Sequence, residues 1–238
     1  MQNADMGSVF LAFYAIERWA GKMNKILKRI NKIGIVPVIS ISDVEKAVPL
    51  ARALIAGGIP CAEITFRTAE GEECIRRIAA QLPEVLLGAG TILSKDQARR
   101  AKDAGAEFVV SPGFNSKVVK YCVKNGILMI PGCSTPTDME AAMRFGLDTV
   151  KFYPAELGGG LPYIKACAAP YSNLKFMPSG GINAENMRKY MAFNKVIACG
   201  GSWMVSKELL DTGNFDEITR LSKIAVQIVQ EARLTAGF

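Results

Sequence analysis

The 238-residue chain contains no histidine. That removes the commonest general base and the whole Ser-His-Asp class of mechanism. Its six cysteines, Cys61, Cys74, Cys122, Cys133, Cys167 and Cys199, form no CxxC pair. A zinc site built on Cys and His spacings is therefore disfavoured, and scattered thiols in a chain of this size point to buried cysteines in a reducing cytosol. No apolar run approaches the roughly 18–20 residues that a membrane-spanning helix needs. The stretch SVFLAFYAI, residues 8–16, is too short to span and has no basic region before it, so it makes a poor signal peptide. No GxGxxG follows the first expected strand, which leaves a dinucleotide-binding domain with little support. The net charge of +7 suits anionic ligands as well as it suits a plain basic surface. Apart from a cluster over residues 22–32 the basic residues are spread along the chain, and no nucleic-acid-binding signature accompanies them.

What the chain does have is a regular alternation punctuated by glycine. In AKDAGAEFVVSPG, CVKNGILMIPG and AMRFGLDTVKFYP a helical pattern ends at Gly105, Gly126 and Gly146, and an apolar run follows within about two residues. ALIAGGIPCAEITF repeats the device at Gly57 and Gly58. Read through, the pattern predicts strands at 34–40, 60–65, 86–89, 107–111, 127–130, 148–152, 174–178 and 196–200. Helices are expected at 43–57, 69–82, 94–104, 115–125, 136–145, 161–169, 184–192 and 216–235, with one more at 23–32 ahead of the first strand. Eight alternating units imply a parallel sheet and fit a (β/α)8 TIM barrel with an N-terminal helix before strand 1; an open doubly wound sheet is the alternative. Met23 opens what reads as a domain start, so residues 23–238 are expected to form a single barrel domain. Residues 1–22 are then an extension, or the product of a misassigned start codon.

In such a barrel the chemistry sits at the C-terminal ends of the strands. Side chains alternate along a strand, so Glu63, Thr65 and Arg67 share one face of strand 2, and Thr149, Lys151 and Tyr153 share one face of strand 6. With the apolar faces turned to the outer helices, Glu63 and Lys151 point into the barrel. Desolvation disfavours an ammonium, and a neutral amine is the form that attacks a carbonyl to make a Schiff base. The competing reading is a buried ion pair that only holds the barrel together, a weak device for stability. Gly180 and Gly181 after strand 7, and the turn ending at Ser202 after strand 8, lie where phosphate commonly binds on exposed backbone N–H groups. GAGT, ending at Thr91, reads as a short turn whose hydroxyl reaches a ligand or caps the next helix. Arg67 is either a bidentate carboxylate clamp or a surface arginine.

Taken in order, GIVPVI, AEITFRT, GAGT, SPG, IPG, KFYPAE, PSGGI and GGSW over residues 34–205 resemble the bacterial 2-keto-3-deoxy-6-phosphogluconate (KDPG) aldolases, which often also cleave 4-hydroxy-2-oxoglutarate. The set is specific, although each motif alone is weak. The resemblance implies a class I aldolase on a (β/α)8 barrel, usually a homotrimer, without metal or cofactor, acting on a phosphorylated keto acid; the scattered thiols, the absent nucleic-acid signature and the short apolar runs add the expectation of a cytoplasmic protein that binds neither nucleic acid nor membrane. It implies Lys151 as the Schiff-base lysine and Glu63 as general acid/base. It puts Arg67, Thr91 and the turn at Pro112 at the keto-acid end, and Gly180, Gly181 and Ser202 in the phosphate site. Tyr153 and Ser179 depart from the family's usual Phe and Thr. Phosphogalactonate aldolases tend to carry Asn where Arg67 stands, so that relative is the second choice. A sugar-phosphate isomerase or epimerase, or a phosphate-ligand binder on the same barrel, is the non-aldolase rival.

Overall fold

The computed structural model describes Gly21 and residues 23–238; the expected extension over residues 1–22 otherwise lies outside the described residues. Helical residues 23–33 form α1, which runs into β1 (Ile35–Ile39). Strands and helices then alternate: α2 (Ala47–Ala56), β2 (Cys61–Thr65), α3 (Gly71–Gln81), β3 (Leu86–Gly90), α4 (Lys95–Ala104) and β4 (Phe108–Val110). There follow α5 (Ser116–Lys124), β5 (Leu128–Ile130), α6 (Pro136–Met143), β6 (Thr149–Phe152), α7 (Gly160–Ala168) and β7 (Lys175–Pro178). The chain ends with α8 (Met187–Met191), β8 (Cys199–Gly201), α9 (Lys207–Thr212) and α10 (Phe215–Ala236).

Local chemistry explains most boundaries. Ser94 accepts from the Gln97 N–H at the start of α4, and Thr135 forms a capping box with Asp138 ahead of Pro136 at the start of α6. Gly105 caps α4 at φ 109°, a left-handed conformation that glycine adopts without steric cost. Gly57 is different. Its φ is ordinary, and it is glycine for space, since a Cβ there would stand 2.2 Å from Cβ of Ser222 on α10.

All strand pairs are parallel. Six strands form one sheet in the order β5-β4-β3-β2-β1-β8, and β6 pairs with β7. The larger sheet curls into a half-barrel. Parallel bridges from Gly132 to Lys151 and from Ser179 to Gly200 link the smaller piece to both of its edges. At the first seam the Lys151 N–H donates to Pro131 O at 2.9 Å and the Cys133 N–H donates to Lys151 O at 2.8 Å. Every residue of β2, β3 and β6 is buried, as strands covered on both faces require. α1 lies at the N-terminal ends of the strands, where Arg29 donates to Glu84 O at 2.9 Å and reaches Glu107 at 3.3 Å. The opposite, C-terminal ends are left to the loops. Among the described residues no helix is long and apolar enough to cross a membrane.

Three expectations need correction. Gly88 and Gly90 of GAGT belong to β3 and do not form a turn. The helix after β7 covers only Met187–Met191, because Asn183 and Asn186 hold the preceding residues in a side-chain-capped turn. A short helix, α9, stands between β8 and α10 where a plain connection was expected.

Candidate active site

β2 and β6 deliver the central pair. Glu63 is fully buried, Lys151 is 5% exposed, and Nζ of Lys151 lies 3.5 Å from Oε1 of Glu63. The two residues lie 88 positions apart in the sequence and meet only because both strands turn the same alternating face inward. Apart from this contact, neither Glu63 oxygen has a hydrogen-bond partner among the described residues. A buried carboxylate left so sparsely satisfied is costly for the fold. That argues for a role beyond stability. The ring of Tyr153, two residues on from Lys151, lies 5.4 Å from Nζ.

A cavity of about 500 Å³ opens above Lys151 at the C-terminal ends of the strands. Arg67, Lys151, Gly180, Gly181 and Ser202 all line it. Nε of Arg67 donates to Oγ1 of Thr91 at 3.2 Å, so the residues after β2 and β3 are tied together at one rim. Thr91 does not cap α4, a role filled by Ser94. Glu63, Thr91 and Pro112 are not on the cavity wall. Glu63 is buried beside Lys151, and Thr91 is joined to the wall through Arg67. The Pro112 carbonyl instead packs against Gly132, where a Cβ would come within 2.1 Å of it.

The glycine turn lining the cavity is held by its neighbours. Gly180 and Gly181 have φ 95° and 83°. The Glu156 N–H donates to Gly180 O at 3.1 Å, and Nδ2 of Asn186 donates to Gly181 O at 2.8 Å. The Glu156 carboxylate accepts from the Tyr190 hydroxyl, and burial followed by that carboxylate pushes the phenol up from its ordinary range. Carbonyls facing protein donors leave the turn's own N–H groups as the feature on offer to an anion.

The sequence carries the same signature. The family model for KDPG and KHG aldolases matches residues 26–221. The chain belongs to this family. As a KDPG and KHG aldolase family member it is an aldehyde-lyase. It is similar to the 2-dehydro-3-deoxy-phosphogluconate aldolase of Treponema pallidum, 48% identical over 207 residues, covering 87% of this chain and 99% of the relative. It is 42% identical to the KHG/KDPG aldolase of Escherichia coli K12 over 193 residues, 81% of this chain and 91% of the relative. Among solved structures, KDPG aldolase from Legionella pneumophila, with pyruvate captured at low pH as a covalent carbinolamine intermediate, superposes with TM-score 0.82. It is 35% identical, and the match covers 84% of this chain and 97% of that one.

Reading motifs one strand at a time overlooks residues of the aldolase cavity that come from elsewhere. Val38 and Ser40 at the end of β1 line it, as do Trp203, Ser206 and Lys207 beyond β8. Ser40 sits in a run of small and apolar residues with nothing to single it out. Trp203 is quoted within GGSW but carries no local sign that its side chain turns toward the cavity.

Proposed function

We propose that the chain cleaves KDPG to pyruvate and glyceraldehyde 3-phosphate through a Schiff base on Lys151. The observation that carries this reading is the buried Lys151–Glu63 pair, 3.5 Å apart, whose lysine lines a cavity that also takes in Arg67 and the Gly180–Gly181 turn. Glu63 is near enough to take the proton that separates the ammonium from the reactive amine. The amine adds to the C2 ketone, and loss of water gives an iminium. Glu63, directly or through one water, takes the proton from the C4 hydroxyl. The C3–C4 bond breaks, its electron pair moves to C3 and the iminium becomes an enamine, while glyceraldehyde 3-phosphate leaves. Protonation at C3 and hydrolysis of the new iminium release pyruvate and return the amine. Arg67, oriented by Thr91, faces the keto-acid carboxylate, and the Pro112 turn supports that end through Gly132. Gly180, Gly181 and Ser202 receive the phosphate.

The eight strands close into a (β/α)8 barrel in this reading, supported by the bridges at both seams, and residues 23–238 act as its single domain. Six free, buried thiols support a cytoplasmic setting, the family resemblance supports a homotrimer, and exposed Leu157, beyond β6, is an apolar side chain suited to a subunit contact. The phosphogalactonate alternative is not favoured, since relatives at 42–48% identity carry phosphogluconate names and Arg67 stands after β2. The deciding experiment is borohydride reduction in the presence of pyruvate, followed by intact mass. One reduced pyruvate adduct per chain is expected, and none on Lys151→Ala, whose cleavage rate should fall below about a hundredth of wild type. No adduct on the wild-type protein would leave the isomerase or simple binder as the better reading.

A further inference from the structure

Gly90, the last residue of β3, has no conformational reason to be glycine. Its φ is not among the positive values, and it lies in a fully buried, regular strand paired with Thr65. Its reason is space. A Cβ at this position would stand 2.2 Å from Oε1 of Glu63, 2.8 Å from its Cγ and 2.9 Å from its Cδ. The outer half of the Glu63 side chain therefore lies over the bare backbone of Gly90. Glu63 springs from the position of β2 paired with Gly88, so its side chain leans along the strand direction by one inward-facing step. Leaning that way brings the carboxylate within 3.5 Å of Nζ of Lys151 on the far strand β6.

The geometry points to Gly90 as a positioning residue. Its missing side chain is the socket that aims Glu63 at the substrate carbon skeleton held on Lys151. The inference rests on the reading of Glu63 as the base opposite a Schiff-base lysine. The three nearest atoms that a Gly90 methyl group would meet, Oε1, Cγ and Cδ, all belong to the Glu63 side chain, which is flexible from Cγ outward. The response open to the side chain is to turn aside from Cγ outward, taking the carboxylate with it, so the fold survives while the base is misplaced. Gly88 is a useful contrast. A Cβ there would meet the Phe108 ring at 2.2 Å, a rigid, fully buried group, so its substitution should damage packing instead of aim.

The test separates attack by the lysine from proton transfer by the carboxylate. Gly90→Ala, Glu63→Gln and the double variant are compared with wild type in three measurements: pyruvate adduct formation under borohydride, exchange of pyruvate methyl protons in D2O, and steady-state cleavage of KDPG. Gly90→Ala should still form the adduct. Its methyl exchange and kcat should fall about 10²- to 10⁴-fold, the range for losing a general acid–base group. The double variant should be no slower than Glu63→Gln alone, because residues that act as a unit are not additive. Exchange at the wild-type rate in Gly90→Ala, or losses that multiply in the double variant, would overturn the assignment. If Gly90→Ala fails to fold, Glu63→Ala/Gly90→Ala decides. Recovery of the fold supports the clash, and continued failure means that Gly90 serves the strand and not the carboxylate. A wild-type protein that forms no pyruvate adduct removes the Lys151 reading and this one with it. An adduct together with unchanged exchange in Gly90→Ala removes this one alone.

Discussion

Thr91 is the one non-glycine residue with positive φ among the described residues, at 58°. A β-branched side chain in that region costs of order 1–3 kcal/mol and persists only where the surroundings impose it. Here the hydroxyl it presents is the acceptor for Nε of Arg67 at 3.2 Å. Glycine would relieve the backbone and remove that acceptor. Set against the roughly 0.5–1 kcal/mol of chain entropy that glycine costs, Thr91→Gly should come out about 1 kcal/mol more stable. It should melt about 2–4 °C higher. The same variant should bind the keto acid more weakly, with KM for KDPG rising several-fold, because Arg67 loses the group that orients it. Thermal melts and steady-state kinetics check both halves. A variant that is less stable with KM unchanged would mean that Thr91 is placed for the fold and has no part in binding.

The loop between β7 and α8 shows how far motifs can be read from sequence and where reading stops. PSGGI at the end of a strand is legible as a tight turn, because two adjacent glycines after an apolar run call for positive φ, and Gly180 and Gly181 have it. Its support is not legible. The Glu156 N–H reaches Gly180 O from the loop after β6, and a Cβ on Gly181 would stand 2.8 Å from Cβ of Glu156. That contact joins residues 25 positions apart in the loops after two neighbouring strands, and no local pattern reports it. The alternation of strands and helices is legible for the opposite reason: glycine caps and period-two alternation are local signals, and they suffice to turn Glu63 and Lys151 to the same inward face. Gly90 was misread as a turn residue because its partner lies across the sheet. Gly181→Val would press on Glu156 and force a β-branched residue to φ 83°. It should displace the N–H groups offered to phosphate. Losing one or two charge-assisted hydrogen bonds, at about 1.5–3 kcal/mol each, predicts a ten- to several-hundred-fold or greater fall in kcat/KM for KDPG. Unphosphorylated 4-hydroxy-2-oxoglutarate should suffer far less. Parallel losses on both substrates would show that the turn is structural only.

At the scale of the whole molecule, the six cysteines are all free and all buried. Desolvation is the first cause in each case that raises their thiols: Cys74 to about 11, Cys122 and Cys133 to about 12, and Cys61 and Cys199 further still. Two consequences follow. The thiolate is the reactive form, so the native protein at pH 8 should take up almost no iodoacetamide and keep its activity, whereas the unfolded chain should take up six labels. The second concerns stability in alkali. In the unfolded chain these thiols ionise near 9, while in the folded protein they hold their protons to higher pH. Between those limits the folded state binds more protons, so stability is fully present below about pH 9 and falls as pH rises toward 11–12. Each such thiol contributes a slope of about 1.4 kcal/mol per pH unit in that window. Urea midpoints measured from pH 8 to 11 should therefore fall steeply above pH 9. Cys122→Ala should be less stable than wild type at pH 8 through lost packing, yet show a shallower decline, because one of the coupled ionisations is gone. A wild-type midpoint that stayed level to pH 11 would mean that these thiols titrate in the folded protein as they do in water, and that the packing around them admits solvent.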